Sequence, residues 1–186
     1  DRDKDSFVSL LKEYPRGFII EPVLKNAPEF ASFNNSSLNT IRIATVRLDD
    51  RTEIPFAFAR FGTNGSNVDN FCSNGIIASI DIETGIIFST FRKDMKPCII
   101  HPNSKKAIVG FKIPRWEELK AIVKEMALVV PSNRYTGWDM AYTPNGWVLI
   151  EANARGQFVN QMSAKKGIKR LFDEYINEIE IKEKKR

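Results

Sequence analysis

The sequence predicts an α+β fold, a mainly antiparallel sheet with helices packed on one face. Two observations support this class. Short apolar strands follow one another through the middle of the chain, and two longer stretches carry apolar residues at helical spacing. Residues 1–186, of which 42% are hydrophobic and 27% charged, contain no repeat or low-complexity linker and are expected to form a single domain.

The first predicted elements are a short helix and a strand. Apolar residues from Phe7 to Tyr14 follow the i, i+3, i+4, i+7 pattern of a helix that ends before Pro15. An apolar run near residues 18–24 then predicts a strand. Pro22 within that run favours an edge position or a strand end, because proline has no backbone N–H to donate to a neighbouring strand.

Strands continue through the middle of the chain. Over residues 40–48, Ile41 and Ile43 alternate with Arg42, so the arginine points away from the isoleucines. Arg60 is expected to face away from the apolar stripe in the same manner. A long loop rich in Gly and Asn follows at residues 62–75. The other predicted strands cover residues 54–61, 76–82 and 86–90, the last two as a hairpin.

Two amphipathic stretches predict the longer helices. The first begins at Trp116, and its apolar stripe ends at Val130, before Pro131. The second covers about residues 163–182. Gly167 weakens the prediction of its first turn, because glycine disfavours helix.

Composition excludes several kinds of protein and site. No run of about 18 apolar residues occurs, so membrane insertion is not expected. Cys72 and Cys98 lack metal-site spacing and suit a reducing cytoplasm, and one histidine, His101, cannot build a zinc site. We expect His101 to be structural or on the surface. The net charge of +5 admits an acidic partner, but the Lys and Arg residues are spread along the chain.

Residues 137–153 predict a β-hairpin that opposes two carboxylates. A three-residue loop over residues 144–146 puts Asp139 directly opposite Glu151, and Asn153 shares their face. Opposed carboxylates repel, which indicates a shared proton or a bound cation, and oxygen ligands without Cys or His favour Mg²⁺. Two solvated carboxylates, or a hairpin slipped by one residue, are the alternatives.

Several short motifs occur in order along the chain: Asn39-Thr-Ile-Arg42, Ala59-Arg-Phe-Gly62, Asp69-Asn70, Ser73-Asn-Gly75, Asp81-Ile-Glu-Thr-Gly85, His101-Pro102 and Gly137-Trp-Asp139. Over roughly residues 15–160 this order resembles the sugar-transfer-associated ATP-grasp family, which is found with polysaccharide biosynthesis proteins. The hairpin itself resembles the metal-binding end of the ATP-grasp superfamily.

The resemblance implies the C-terminal lobe of an ATP clamp, with ATP and Mg²⁺ as cofactors. The strand near residues 18–24 would be the hinge between the two lobes. The ligands of the Mg²⁺ that bridges the ATP phosphates would be Asp139, Glu151 and Asn153. Three guanidinium groups would be directed at phosphate or a substrate carboxylate, with surface or salt-bridge roles as the alternative. These belong to Arg42, Arg60 and Arg155.

The resemblance also implies where the nucleotide is recognised. Backbone groups near Glu21 and Leu24 would contact the adenine edge, and Glu29 would reach the ribose hydroxyls. Ordinary surface carboxylates are the alternative for both glutamates. In the Gly- and Asn-rich loop, Asp69 is a candidate for substrate or metal contact and Asn70 for the cofactor site.

The implied activity is an ATP- and Mg²⁺-dependent ligase that joins a carboxylate to an amine or similar group through an acyl phosphate. It would serve polysaccharide or cell-surface glycan biosynthesis, with a small-molecule or glycan-precursor carboxylate as substrate and no nucleic-acid partner. The alternatives are an ATP-grasp-type kinase acting on a sugar hydroxyl, and a non-catalytic basic domain that binds acidic glycan or nucleic acid. The sequence carries no signal for an oligomeric state.

Three features depart from the expected pattern, and one of them is mild: Asn74-Gly75 stands where two glycines are expected, and Asn tolerates the left-handed region. The phosphate-contacting lysines of the superfamily lie on a small lobe upstream of the hinge, whereas only 17 residues precede Phe18 here. The small lobe is therefore expected to be missing, and the isolated chain to bind Mg-ATP poorly. Many members also carry Arg two residues before the metal-binding Asp, where this chain has Gly137.

Overall fold

The fold is organised around one antiparallel sheet. A computed structural model describes residues 2–14, 16–63, 65, 69, 75–94, 96–156, 158, 160–164 and 166–183. Its helices are α1 (Arg2–Glu13), α2 (Pro28–Ala31), α3 (Trp116–Met126), α4 (Asn160–Ala164) and α5 (Lys169–Glu183). Its strands are β1 (Thr40–Arg47), β2 (Thr52–Glu53), β3 (Ala57–Phe61), β4 (Ile76–Ile80), β5 (Ile87–Phe91), β6 (Tyr135–Thr143) and β7 (Gly146–Asn153).

The sheet has seven strands in the order β5-β4-β3-β1-β6-β7, and β2 also pairs with β1. Every pairing is antiparallel. Because β1 lies between β3 and β6, the sheet joins strands from the two halves of the chain. This architecture confirms the predicted α+β class with a mainly antiparallel sheet.

The main core lies on one face of the sheet, beneath α3. Ile41 and Ile43 of β1 are fully buried there, and Trp116, Leu119 and Val123 supply the buried stripe of the helix. The alternation predicted for β1 is confirmed, because Arg42 points to the opposite face and contacts Asp139 there.

A smaller apolar cluster covers part of that opposite face. Phe56, Phe58 and Ile77 are buried in it, and Ile168 and Phe172 of the C-terminal segment pack against it. Helices therefore lie on both faces, and the predicted placement on a single face is wrong. The physical reason is that both faces of the central strands carry apolar side chains that must be covered.

The predicted strand near residues 18–24 is wrong as an element, because these residues form no strand. Ile19 and Val23 are 86% and 89% exposed, so their apolar side chains pack against nothing in the sheet. Phe18 instead packs edge-on against Phe7 and Tyr14, at centroid distances of 5.9 and 6.3 Å. An apolar run without a hydrogen-bonded neighbour does not become a strand.

The C-terminal helix predicted for about residues 163–182 is two helices, α4 and α5. Gly167 lies between them, which accords with its low helix propensity. The helix that starts at Trp116 ends at Met126, four residues before the end of its apolar stripe. Among the described helices, none combines the length and apolar content needed to cross a membrane.

Candidate functional site

A row of side chains crosses the face of the sheet opposite the main core. Backbone register places Glu151 of β7 opposite Asp139 of β6, and Asp139 opposite Arg42 of β1. Arg42 is in turn opposite Phe58 of β3, which is opposite Ser79 of β4. Directly opposed residues of antiparallel strands point to the same face. The row therefore changes from charged to uncharged side chains between β1 and β3.

The structure confirms the predicted pairing of Asp139 with Glu151, but a shorter loop and a bulge produce it. The loop has two residues rather than three, because Thr143 pairs with Gly146, whose φ is +105°. The pairs nearest the turn are therefore shifted by one residue from the prediction. A bulge between Asp139 and Met140 leaves an extra residue on β7 and restores the predicted pair.

Asp139 is a buried carboxylate in a bidentate ion pair. It is 2% exposed, and Arg42 donates from Nε to Oδ1 and from Nη2 to Oδ2, the latter at 2.8 Å. Burial by itself would raise the pKa of Asp139, but the hydrogen bond from Arg42 and the charges of Arg60 and Arg42 outweigh it. The pKa therefore lies below its ordinary value, and Asp139 is ionised at neutral pH.

Arg60 links Asp139 to a second buried carboxylate. Its Nη2 lies 2.9 Å from Oδ2 of Asp139, and its Nε lies 3.6 Å from Oδ2 of Asp69 and donates to Oγ1 of Thr40 at 2.8 Å. Asp69 also accepts hydrogen bonds from the backbone N–H and the hydroxyl of Thr40. Burial raises the pKa of Asp69 despite the opposing effects of Arg60 and Thr40. The site is thus a chain of alternating charges.

The three residues predicted to bind metal meet on this face, but their availability differs. Asn153 donates from Nδ2 to Oε1 of Glu151 at 2.9 Å, and the Glu151 side chain is 59% exposed. Both oxygens of Asp139 instead accept from guanidinium groups. In the part of the chain that the structure describes, no cluster of three His, Cys, Asp or Glu side chains is arranged around a possible metal ion.

The donor set nevertheless fits a hard cation. It consists of two carboxylates and an amide oxygen, with no nitrogen or sulfur ligand, and oxygen ligands of this kind suit Mg²⁺. Glu151 and Asn153 are accessible now, whereas Asp139 becomes a ligand only if a guanidinium gives up its oxygen. The three residues can therefore bind Mg²⁺ together only if Arg42 or Arg60 releases the carboxylate of Asp139.

Glycine at position 137 makes room for Arg42. A Cβ there would lie 3.1 Å from Cδ of Arg42, and Cα of Gly156 approaches the same point to 3.6 Å. Gly156 is itself crowded, since its Cβ would lie 3.0 Å from the Tyr135 hydroxyl, which donates to the Gly156 carbonyl at 3.2 Å. The guanidinium groups near Asp139 are those of Arg42 on β1 and Arg60 on β3, and residue 137 supplies none.

The remaining predicted site residues are not part of this charged cluster. Arg155 is exposed and forms no ion pair with a described residue, although it lies two residues beyond Asn153. Glu21 and Glu29 are exposed, and neither side chain bonds to a described group. Leu24 is partly buried. Asn70 lies outside the described residues.

The segment after Leu24 is nevertheless anchored beside the site strands. The amide of Asn26 donates to the Ser37 carbonyl at 2.7 Å, and its oxygen accepts from the backbone of Asn39 at 2.9 Å. The backbone N–H of Ala27 donates to the Tyr142 carbonyl of β6 at 2.8 Å. Asn26 and Ala27 are thus held to the residue before β1 and to the end of β6.

His101 is structural and fully buried rather than exposed. Its Nε2 is 3.0 Å from the carbonyl of Gly62, and its Nδ1 faces the backbone N–H groups of Asn103 and Ser104 at 3.4 Å. The ring therefore donates from Nε2 and accepts at Nδ1, as neutral imidazole does. Burial lowers the pKa of His101 despite the opposing bond to Gly62.

A cavity of about 560 Å³ opens between the sheet and the α4–α5 segment. Its apolar wall includes Phe56 and Phe88, and charged side chains at its rim include Asp81, Lys166 and Arg170. Ser79 also lines it and is three strands from Asp139, a separation of about 14 Å at the usual strand spacing of about 4.8 Å. Ser79 at the cavity and Asp139 in the charged cluster thus belong to the same row of opposed residues across the sheet.

Sequence reasoning missed two groups that shape the site. Thr40 bonds to both Asp69 and Arg60, and its position two residues before Arg42 is a signal that it shares that face. In the sequence, Gly137 stands out only because many members of the superfamily carry Arg at this position. Its contact with Arg42 depends on the pairing of β1 with β6, which no local signal predicts.

Comparison with known proteins gives one match. A sequence profile described as sugar-transfer associated ATP-grasp matches residues 6–177, which is most of the chain. No curated protein and no solved structure gives a significant match.

Proposed function

This chain belongs to the sugar-transfer associated ATP-grasp family, and from that premise we propose that it holds Mg-ATP in a ligase of glycan biosynthesis. A carboxylate oxygen of the substrate would attack the γ-phosphorus of ATP and release ADP. An amine or similar nucleophile would then attack the acyl carbon of the acyl phosphate and release phosphate. The substrate would be a small molecule or a glycan precursor.

The observation that carries the proposal is the cluster of Arg42, Arg60 and Asp139 beside Glu151 and Asn153. Two guanidinium groups and three side chains that can supply oxygen ligands lie on one face of the sheet. Hydrogen bonds and ion pairs connect them. Phosphoryl transfer requires positioning and neutralisation of phosphate charge more than covalent chemistry by the protein. The cluster contains both kinds of group that such neutralisation needs.

Each residue has a proposed role. Asp139, Glu151 and Asn153 would hold Mg²⁺, which, when bound, neutralises charge on the phosphate oxygens. Arg42 and Arg60 would contact phosphate oxygens through their fork of N–H groups, for which guanidinium geometry is suited. Arg155, exposed and without an ion pair to a described residue, would be available to the substrate carboxylate.

The nucleotide base would lie near the segment that precedes α2. Asn26 and Ala27 are anchored beside β1 and β6, and this supports a base site near Leu24, two residues before Asn26. Glu21 would contribute backbone groups in the same segment, and Glu29 would reach the ribose. Asn70 remains a candidate for the cofactor site, and a cytoplasmic location remains a prediction.

Binding of Mg-ATP tests the proposal. We expect the wild-type chain to bind a fluorescent ATP analogue weakly and only with Mg²⁺, and Glu151→Gln and Asp139→Asn to weaken that binding about tenfold or more. Glu125→Gln, an exposed glutamate on α3, is the matched control and should bind as wild type does. Equal affinity in all four proteins would overturn the proposed site.

The reaction is tested separately by its acceptor. A carboxylate ligase releases ADP only when a carboxylate substrate is present, whereas a kinase acting on a sugar hydroxyl releases ADP with a neutral sugar. We expect ADP release to depend on the carboxylate. Release with a neutral sugar alone would replace the ligase with the kinase.

A further inference from the structure

We propose that Arg42 and Arg60 are specificity-determining residues. They prevent Asp139 from binding a free metal ion, and release its carboxylate for metal binding only when phosphate is present. In this proposal the guanidinium groups exchange the carboxylate for the phosphate oxygens of the nucleotide, and the carboxylate oxygens pass to the cation. The proposal rests on the proposed function, because it assumes that the cluster binds a metal–nucleotide complex.

The first argument is that both oxygens of Asp139 face guanidinium groups, which shield the carboxylate from a cation that arrives alone. Three guanidinium nitrogens surround its two oxygens: Nε and Nη2 of Arg42, and Nη2 of Arg60. The carboxylate is 2% exposed, so solvent does not compete for it. A divalent cation approaching alone would meet two positive charges at short range and would have to break a buried bidentate pair.

The second argument is that each arginine keeps an anion when it leaves Asp139. Nη2 of Arg42 lies 3.8 Å from Oε1 of Glu151. Arg60 donates to Thr40 and lies 3.6 Å from Asp69. Neither guanidinium would therefore become an unpaired buried charge during the exchange, which is the outcome that proteins avoid most strongly.

The third argument concerns what can replace the carboxylate. A phosphate group accepts two parallel N–H bonds from guanidinium, as a carboxylate does, and carries more negative charge. It can therefore take over the partners of Asp139 without changing their geometry. A halide ion offers no such paired oxygens.

The consequence is reciprocal coupling between metal and nucleotide. If phosphate raises the affinity for the metal, the metal raises the affinity for the phosphate by the same factor. The site would then discriminate the metal–nucleotide complex from the free ion, although its oxygen donors alone would bind either. Removing one arginine should relax this discrimination in a predictable direction.

The test measures Mn²⁺ binding to the chain by electron paramagnetic resonance, with and without adenylyl imidodiphosphate, an ATP analogue that is not hydrolysed. In wild type, we expect the complex of protein and analogue to bind Mn²⁺ at least about tenfold more tightly than the free analogue does. Arg60→Ala should bind Mn²⁺ alone about tenfold more tightly than wild type, and should lose most of the gain from the analogue.

Controls locate the effect at Asp139. Arg60→Ala removes one of the two positive charges and one of the two hydrogen-bond donors at Oδ2 of Asp139, which opens that oxygen to the metal. The bidentate pair of Arg42 with Asp139 stays in place, which favours folding, and thermal unfolding verifies that the variant is folded. The double variant Arg60→Ala/Asp139→Asn should lose the new Mn²⁺ site. Arg92→Ala removes a partly buried arginine that is paired with Asp94, outside the charged cluster, and should behave as wild type.

The outcomes separate this inference from the proposed function. If wild type binds the Mn²⁺–analogue complex but Arg60→Ala gains no affinity for Mn²⁺ alone, the exchange is wrong and the nucleotide site stands. If wild type binds neither the complex nor the analogue, both are overturned. A gain in Arg92→Ala equal to that in Arg60→Ala would also overturn the exchange.

Discussion

Arg42 lies directly opposite Asp139 in the sheet and donates hydrogen bonds to both oxygens of that buried carboxylate. The two residues are 97 positions apart in sequence. Their contact joins the N-terminal and C-terminal halves of the chain at the point where the row changes from charged to uncharged side chains. Both the stability of the sheet and the proposed chemistry therefore depend on this pair.

Removing Asp139 should destabilise the fold strongly. Asp139→Ala leaves two largely buried guanidinium groups without their carboxylate, which we expect to lower the free energy of unfolding by about 3–5 kcal/mol. Urea unfolding followed by circular dichroism measures this. Glu151→Gln changes an exposed carboxylate of the same cluster and should shift the unfolding free energy by no more than about 0.5 kcal/mol. Equal effects of the two changes would contradict the assignment of Asp139 as the buried anchor.

A side chain at position 137 should displace Arg42. Gly137→Ala places a Cβ 3.1 Å from Cδ of Arg42, so we expect a loss of about 1–3 kcal/mol in unfolding free energy and weaker Mg-ATP binding. Gly167→Ala is the matched control, because its Cβ would meet only Oε1 of Gln161, at 3.8 Å. The control should leave stability within about 0.5 kcal/mol or raise it slightly. The prediction fails if both variants unfold at the same urea concentration.

The buried histidine should make stability depend on pH. The folded-state pKa of His101 is lowered from 6.5, so the unfolded chain binds a proton more readily than the folded one. The contribution of His101 is therefore fully present above pH 6.5 and decreases as the pH falls below it, by at most about 1.4 kcal/mol per pH unit. His101→Gln keeps an N–H donor near the Gly62 carbonyl and should flatten this part of the profile. A wild-type profile with the same slope as His101→Gln between pH 7 and 5 would contradict it.

The hydroxyl of Thr40 should be needed to hold Asp69 beside Arg60. Thr40→Val removes one hydrogen bond to a buried carboxylate and the acceptor for Nε of Arg60, which we expect to reduce unfolding free energy by about 1–3 kcal/mol. Thr52→Val on β2, where no hydrogen bond of the side chain is found among the described residues, is the matched control. Thermal unfolding of both variants measures the difference. Similar melting temperatures would show that Thr40 does not hold the pair.

Much of the fold follows from local patterns in the sequence. The alternation of Ile41, Arg42 and Ile43 predicts which side chains share a face, because side chains in any strand alternate. The apolar stripe from Trp116 onward predicts a helix for a similar reason. The segment near residues 18–24 was predicted as a strand from the same kind of pattern. It is not one, because a strand also needs a neighbour with which to pair.

The sequence by itself determined the strands of the sheet apart from β2, the alternation of their side chains and the shared face of Asp139 and Glu151. Only the tertiary structure decided that Arg42 and Arg60 are the partners of Asp139. Strand order places β1 between β3 and β6, and such long-range pairing depends on how the whole sheet buries its apolar surface. A carboxylate that looks free for a metal ion in the sequence is thus held by two arginines in the fold.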